Sequence, residues 1–444
     1  KGFCYRFGAV CRPLMQRPIA LRYKASNGEL KNRNFTAWMT HRGPIVRAEG
    51  GRWLAFAMMD RPVEALQQSF TRTKARNLAE FMKASALQAN SSNTTIFADS
   101  SGNIAYLHPQ FVPLRNAAFD YTKPVDGSDQ TADWGRVHKI GELPNMIRPK
   151  SGYVFNTNNW PWTVSGEGSL RRDRFPIYMD ALGENPRGIH ALQLLNQPGP
   201  WTMDRLHAAA FDSAQPGFIR LIPQLLGAYD TLSAGDPRRA RLSKPIAALR
   251  GWDTRWSTDS VANTLANFWA DELWNHVKAI EWDDNETVYV RIDLVDPKVK
   301  LDLFDKAVAR IAKDFGRWDT KWGEVNRFQR ISAAIDSPFD DRKPSIPVGF
   351  SSARWGSLAS FGAAPKPGTK KWYGTNGNSF VALVEFTPTG VKARAVSAGG
   401  ESGNPASPHF NDQAERYATG NLRDVYFYPS QLTSHVERTY RPGE

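Results

Sequence analysis

The hydrophobic period of this chain changes twice along its length, and that change limits the fold more than any other feature. From about Pro200 to Arg330, the segments WTMDRLHAAAFD, GFIRLIPQLLGAYD, SVANTLANFWADELWNHVKAI and LDLFDKAVARIAKDFG carry apolar residues at intervals of three and four. Such spacing gathers them on one side of a helix, so each segment is expected as an amphipathic helix. Thr258 or Asp259 is placed to cap the third, and Gly316 to end the fourth. Before this stretch, FTAWMTHRGPIVRAEGGRWLAFAM alternates β-prone runs with glycine-containing turns, as an antiparallel meander does. A helix then follows, with Asp60 as capping acid, Pro62 in the first turn, and Leu78, Phe81, Met82 and Ser85 at helical spacing. TTIFADSSGNIAYLHP reads as a hairpin whose arms flank Ser100, Ser101, Gly102 and Asn103. Strand signals return in FVALVEF and GVKARAVSA. Sheet, helical excursion, sheet is the pattern of an α+β protein. No repeat and no Pro/Gly/Ser hinge interrupts it, so residues 1–444 are expected as a single composite domain with a helical elaboration at about 200–330.

Composition removes several classes of function. Hydrophobic residues make up 41% and charged ones 23%, the balance of a folded, water-soluble chain without an apolar run of membrane-spanning length. The start, KGFCYRFGAVCRPLMQRP, has no apolar stretch followed by a small-residue cleavage site, so no signal peptide is expected in it. Lys and Arg outnumber Asp and Glu by 57 to 44. Yet the densest basic groups (RRDR, DPRRAR, KPGTKK) are short and mixed with acids, Pro or Gly, and no basic stripe for nucleic acid is legible. The eight histidines are scattered and form no metal-ligand cluster, so no metal is expected at a reacting centre. Cys4 and Cys11 are spaced to close a small loop in an oxidising compartment. A G-x-S-x-G elbow, a P-loop and a dinucleotide fingerprint are all absent.

One stretch asks for an explanation. GYVFNTNNWPW, residues 152–162, sets three asparagines within four positions and then two tryptophans around a proline. Asparagine tolerates left-handed backbone and bonds its own main chain, which makes a turn. An amide N–H aimed at developing negative charge, with aromatic rings holding the rest of a ligand, makes a catalytic site. Both readings stand on these residues.

Five blocks, in order, resemble the β-chain of the penicillin acylase family of N-terminal-nucleophile hydrolases: MTHRGPIV, IFADSSGNIAYLHPQFVPLR, SGYVFNTNNWP, LRGWDTRW and SAGGESGNPASPHFNDQAERYATG. WGEVNRFQR and HVERTYRPGE look closest to the branch acting on acyl-homoserine lactones and lipopeptides. The resemblance implies a four-layer αββα sandwich, a periplasmic or secreted location, and hydrolysis of a linear amide that frees an acyl chain from an amine. An N-terminal Ser or Thr with its own α-amine as base does that work in the family. Carried over by position, Asn158 is the side-chain donor to the oxyanion, and Arg174 the supporting cation, with Arg171 and Arg172 leaving its register open. Trp160 and Trp162 would wall the acyl pocket, and 15 Trp with 24 Phe are enough to line a deep one. His41 and His409 fall in matching blocks but are expected as hydrogen-bonded structural residues, and Asp99 as a turn or strand-end acceptor. Lys1 is not the expected nucleophile, and the family's opening β-chain segment has no match before FTAWMTHRGP. The chain is therefore expected as a partial β-chain whose partners are an acylase α-chain, the missing N-terminal segment and an acyl-amide substrate. The rival expectation is an inactive remnant, or a ligand-binding module of the same fold. Some members of the resembled family hold a structural calcium partly through segments without a match here, so calcium away from Asn158 is compatible with the resemblance.

Overall fold

A computed structural model describes residues 3–90, 92–180, 183–280 and 287–443, and the chain divides into two compact units, Lys1–Leu182 and Gly183–Glu444. Among the described residues the strands form separate sheets of two to four strands beside numerous helices, an α+β architecture. No described helix is long and apolar enough to cross a membrane.

The first unit opens with a hairpin, β1 (Cys4–Phe7) and β2 (Val10–Pro13). Its register sets Cys11 opposite Arg6, so Cys4 and Cys11 are diagonal neighbours on one face, with Cα atoms 5.6 Å apart and a disulfide between them. A meander follows: β3 (Met15–Lys24), β4 (Leu30–Thr40), β5 (Gly43–Glu49) and β6 (Arg52–Ala55), paired antiparallel in that order. Its last three strands are those that periodicity marks. Gly43, the glycine of HRGPIV, shows why that block needs no side chain there. Its φ is +140°, and a Cβ would lie 2.2 Å from the Phe56 carbonyl oxygen, where the returning chain donates from Phe56 N–H to the Pro44 carbonyl at 2.9 Å. Gly43→Ala is expected to cost about 2 kcal/mol or more, the scale of a residue forced into a sparse backbone region. The check is the midpoint of urea denaturation, and an unchanged midpoint would refute the account.

Helices α1 (Pro62–Arg72) and α2 (Leu78–Ser85) come next. Asp60 does not cap α1: Arg61 occupies the cap position without a side-chain bond, and Pro62 at the first turn removes one donor that would need a partner. Asn77 caps α2, accepting from the Glu80 N–H at 2.9 Å. Strands β7 (Thr95–Ala98), β8 (Ile104–Leu107) and β9 (Met146–Ile147) form one sheet. Asp99 ends β7 as a turn acceptor, taking the Ser101 and Asn103 N–H groups on one oxygen and the Asn103 amide on the other. Those bonds, the Asn103 amide foremost, hold its carboxyl below the ordinary range. Ala105, Tyr106 and Leu107 of β8 are fully buried and form the interior of this unit.

The second unit is helical first. It runs through α3 (Pro186–Leu195), α4 (Met203–Ala210), α5 (Pro216–Asp230), α6 (Pro237–Arg241) and α7 (Ser243–Arg250). Then come α8 (Val261–Ala279), α9 (Val288–Leu294), α10 (Pro297–Phe315) and α11 (Trp322–Val325). Two details differ from the expected pattern. Ser260, not Thr258 or Asp259, caps α8 by accepting the Asn263 N–H at 3.0 Å, because the Thr258 carbonyl is held by Gly323 and Asp259 pairs with Lys321. Nor is α8 amphipathic throughout: Ala262 to Ala270 are buried without interruption, because α5, α7 and α10 contribute side chains to the same core around it. Gly316, at φ +81°, ends α10 as expected.

Beyond the helices lies a sheet of β10 (Asn326–Phe328), β11 (Ile346–Pro347), β12 (Phe361–Pro365) and β13 (Trp372–Gly377). FVALVEF and GVKARAVSA become β14 (Phe380–Thr387) and β15 (Gly390–Ser397), an antiparallel pair extended by β16 (Arg423–Asp424).

Candidate functional site

The Asn-rich loop is built outward from the buried sheet of the first unit. Tyr106 on β8 is fully buried, and its hydroxyl shares a hydrogen bond with His108 Nε2 at 2.9 Å. Burial pushes the Tyr106 phenol far up and brings the His108 ring down to about 4, so at neutral pH both groups are uncharged. The Asn156 amide lies close to the Tyr106 hydroxyl, and its Oδ1 accepts the Asn158 N–H at 3.1 Å. On the other side of the turn, buried Asn159 accepts the Thr157 N–H at 3.0 Å and hydroxyl at 3.2 Å, and donates to Thr163 Oγ1 at 3.1 Å. Phe155 N–H closes the loop on the Val164 carbonyl at 3.0 Å, and Ser165 Oγ on the Tyr153 carbonyl at 3.0 Å.

Between Asn156 and Asn159, Asn158 is exposed at φ +60°. Left-handed backbone is uncommon for a residue with a side chain, and asparagine bears it better than most. Asn156 and Asn159 bond within the turn through their side chains, and the exposed Asn158 lies between them, its N–H held by Asn156.

The tryptophans are half-buried. Trp162 packs its ring on Phe175 at 5.3 Å between centroids, with the Arg172 guanidinium over its face at 5.3 Å. The indole N–H groups of both Trp160 and Trp162 are buried without an acceptor among the described residues. Three neighbouring arginines have three different tasks. Arg171 pairs with Asp173, and Arg172 donates to the Phe175, Pro176 and Ile177 carbonyls. The Arg174 guanidinium has no hydrogen-bond or ion-pair partner among the described residues, though its backbone N–H donates to the Arg171 carbonyl at 3.2 Å, and it lines a cleft of about 460 Å³ together with Arg136, His138, Glu142, Phe175 and Met179.

That cleft carries a network which the sequence alone does not mark. Arg136 grips Glu142 with two bonds of 2.9 Å, the Lys139 N–H adds a third at 2.9 Å, and His138 Nδ1 lies 3.2 Å away. Arg136 above all, then the Lys139 N–H, brings the Glu142 carboxyl down to about 2. His138 Nε2 meets the Tyr178 hydroxyl at 2.9 Å. Since Arg136 and Glu142 neutralise each other, Arg174 gives the cleft its positive charge. Arg136, His138, Lys139 and Glu142 lie within seven positions, but Tyr178 stands 40 positions from His138, and spacing of that kind has no periodic signature.

His41 and His409 both have their ring nitrogens engaged. His41 meets Tyr5 at 2.7 Å and Asp133 at 3.0 Å; His409 meets Asp412 at 2.8 Å and Glu437 at 3.1 Å, and these two carboxylates raise its pKa. Lys1 lies outside the described residues. Among the described residues no three His, Cys, Asp or Glu side chains converge as a metal site needs.

Comparison with known proteins gives this geometry a context. The model of a family described as penicillin amidase matches residues 3–434. The chain is 24% identical over 456 aligned residues to the acyl-homoserine lactone acylase PvdQ of Pseudomonas savastanoi pv. phaseolicola, covering 94% of this chain and 56% of that protein. It is 28% identical over 233 residues to the penicillin G acylase of Escherichia coli, covering 51% of this chain and 26% of that one. The chain thus spans little more than half the length of the curated relatives it matches along most of its sequence. A solved thermostable penicillin G acylase from Alcaligenes faecalis superposes with a TM-score of 0.64 over 99% of this chain and 83% of that one, at 18% identity. That likeness shows a shared fold, the α+β N-terminal-nucleophile hydrolase fold which the sequence blocks imply.

Proposed function

The chain belongs to the penicillin amidase family, and from that premise we propose that it is the oxyanion-binding and substrate-shaping part of an amidohydrolase that cleaves a linear amide and frees an acyl chain. The observation that carries this reading is Asn158, exposed at φ +60° at the position of the family's Asn-Asn block, in a turn that Asn156 and Asn159 brace with their side chains. Strained, over-determined backbone at a loop tip is where binding and catalytic groups concentrate.

In the proposed reaction a Ser or Thr with a free α-amine, from polypeptide outside these 444 residues, is the nucleophile. Its amine takes the hydroxyl proton as the oxygen attacks the amide carbonyl carbon. Charge gathers on the former carbonyl oxygen, and the Asn158 side-chain N–H donates to it there. Such a fixed donor contributes about 3–4 kcal/mol to lowering the barrier. The amine leaving group departs with the proton, and water then hydrolyses the acyl ester. Arg174 contributes positive potential from its cleft, and Trp160 and Trp162 wall the acyl side. The nucleophile's own amine serves as base, so this chemistry needs no metal at the reacting centre, and a structural calcium elsewhere is compatible with it. The Cys4–Cys11 disulfide suits a periplasmic or extracellular location.

For the substrate, relatives that carry the name acyl-homoserine lactone acylase match nearly the whole of this chain, and we read the acyl group as a long apolar one. Each added CH₂ in a fitting pocket contributes about 0.8 kcal/mol. The complete, processed protein is therefore expected to hydrolyse amides of acyl chains of roughly eight or more carbons in preference to phenylacetyl amides, measured as kcat/KM. Turnover of phenylacetyl amides alone would overturn the preference. Binding of both without turnover would favour a ligand-binding module or an inactive remnant.

A further inference from the structure

The hairpin β1–β2 brings a second set of reactive groups together, and the amide hydrolysis proposed above uses none of them. Strand alternation puts Phe3, Tyr5 and Phe7 on one side of the hairpin, facing Trp38 and His41. Phe3 lies edge-on to Trp38 at 4.9 Å between centroids, Tyr5 stacks on His41 at 5.8 Å, and Phe7 meets the His41 ring edge-on at 4.9 Å. The Tyr5 hydroxyl is 2.7 Å from His41 Nδ1, and the Asp133 carboxylate is 3.0 Å from His41 Nε2. A carboxylate only accepts, so Nε2 carries the hydrogen and Nδ1 is left as the acceptor for the phenol proton. The His41 main-chain N–H donates to the same phenol oxygen at 3.2 Å. Arg42 pairs with Asp133 at 2.6 Å and is itself fixed by the Gly127 and Asp129 carbonyls. The Cys4–Cys11 disulfide closes the hairpin, and the Gly8 N–H ties it to the Ser128 carbonyl at 2.7 Å.

We propose that Tyr5, His41 and Asp133 form an acyl-accepting centre, in which the Tyr5 oxygen is a nucleophile toward esters with a good leaving group, such as aryl esters of apolar acids. A hydroxyl bonded to a base that a third group orients is the arrangement that activates a weak nucleophile. The Tyr5 oxygen bonds to the ester carbonyl carbon while its proton passes to His41 Nδ1. The bond from that carbon to the aryl oxygen then breaks, the aryl oxygen leaves with the electron pair, and His41 gives its extra proton to water. The product is an O-acyl tyrosine, formed without oxidant or reductant. The His41 N–H supports charge on the phenol oxygen as the proton leaves. Asp133 faces the charge that the ring then carries; it acts through His41 and is a positioning residue. The side chain of His41 is 29% exposed, so an ester in solution reaches the pair. Phe3, exposed beside Trp38, gives the acyl chain an apolar footing. A purely structural relay makes the same bonds, and reactivity separates the two. The centre stands or falls independently of Asn158 and of the nucleophile outside these residues.

The test treats the complete protein with p-nitrophenyl butanoate, quenches it with acid at timed intervals and maps the acylated peptides by mass spectrometry. Tyr5 is expected to be acylated about tenfold or more faster than N-acetyl-tyrosinamide in the same solution, the gain of a positioned general base. Tyr23 and Tyr440, exposed and without a histidine on their hydroxyls, are expected to react no faster than the free amide. A Tyr5 rate equal to that of the free amide would overturn the proposal. This comparison needs no substitution, so it decides the matter even if a variant fails to fold. His41→Ala is expected to bring Tyr5 down to the rate of the free amide, and added imidazole to restore part of the loss by supplying the missing base. An undiminished rate in His41→Ala, or no recovery with imidazole, would remove His41 as the base and the proposal with it. Asp133→Asn is expected to slow Tyr5 by about tenfold while Tyr23 and Tyr440 react as in the parent. An unchanged Tyr5 rate in Asp133→Asn would strike Asp133 from the centre.

Discussion

Replacing Asn158 by alanine is expected to lower kcat of the complete, processed enzyme by about 10²–10³, with KM little changed, because a donor aimed at the oxyanion acts mainly on the transition state. Asn158→Asp is expected to be at least as damaging, since it sets a negative charge where negative charge develops. The backbone offers a sharper control. Asn158 lies at φ +60°, a conformation glycine adopts without strain. Asn158→Gly therefore keeps the turn and removes only the amide. If the side chain is the donor, the glycine variant is as slow as the alanine one while its thermal midpoint stays near that of the parent. A fully active Asn158→Gly would mean that the residue serves the turn alone, and the oxyanion assignment would fall. Asn159→Ala should behave differently again. It strips the partner from the buried Thr157 N–H and from both hydroxyls, a cost of roughly 1–3 kcal/mol, so its loss of activity should track a loss of stability.

The second large effect is expected on acidification. Burial holds the His108 ring at about 4 in the folded chain, against about 6.5 for the unfolded one. The fold thus favours the neutral ring, and as pH falls the unfolded chain takes up the proton first. His108 then contributes stability fully above about pH 6.5, loses it progressively between about 6.5 and 4, and contributes none below. Over that window the loss is on the order of 3 kcal/mol, with little solvent discount for a ring only 6% exposed. Urea denaturation at a series of pH values should show the slope in the parent and its removal in His108→Gln. A slope that persists in the variant would assign the acid sensitivity elsewhere. Glu142 cannot produce it, since a carboxyl held at about 2 loses its contribution only below the ordinary carboxylate range. His409, whose pKa is raised, has the opposite sign: its contribution is present below about pH 6.5 and is lost as pH rises through its folded pKa. Because the buried Tyr106–His108 pair stands beneath Asn156, the same acid window is where the Asn158 loop should loosen.

Local elements, and the chemistry of their ends, follow from the letters alone. The three- and four-residue spacing in LDLFDKAVARIAKDF specifies α10, and Gly316 stops it with a left-handed residue that any β-carbon would strain. Alternation in FVALVEF and GVKARAVS specifies β14 and β15, and Asp99 with Gly102 specifies the turn between β7 and β8. These signals act between residues a few positions apart, so they survive in a bare string of letters. The five blocks go further and imply the fold that the superposition shows.

Side-chain roles and directions, by contrast, come from partners distant in the chain. Three arginines within four positions are equivalent in sequence, yet Arg171 finds Asp173, Arg172 finds Trp162 and three carbonyls, and Arg174 faces the cleft. The asparagines divide the same way, because the Tyr106 hydroxyl near Asn156 comes from a strand 50 positions away. In α1 the apolar stripe of Val63, Leu66 and Phe70 is legible, but its direction is not: the carbonyl of Pro109 and the N–H of Ala89 claim Gln68 and turn the stripe outward. Periodicity states that two faces differ, and the partners that make one of them the inner face come from distant parts of the chain, where loop closure and packing, not neighbouring letters, select them.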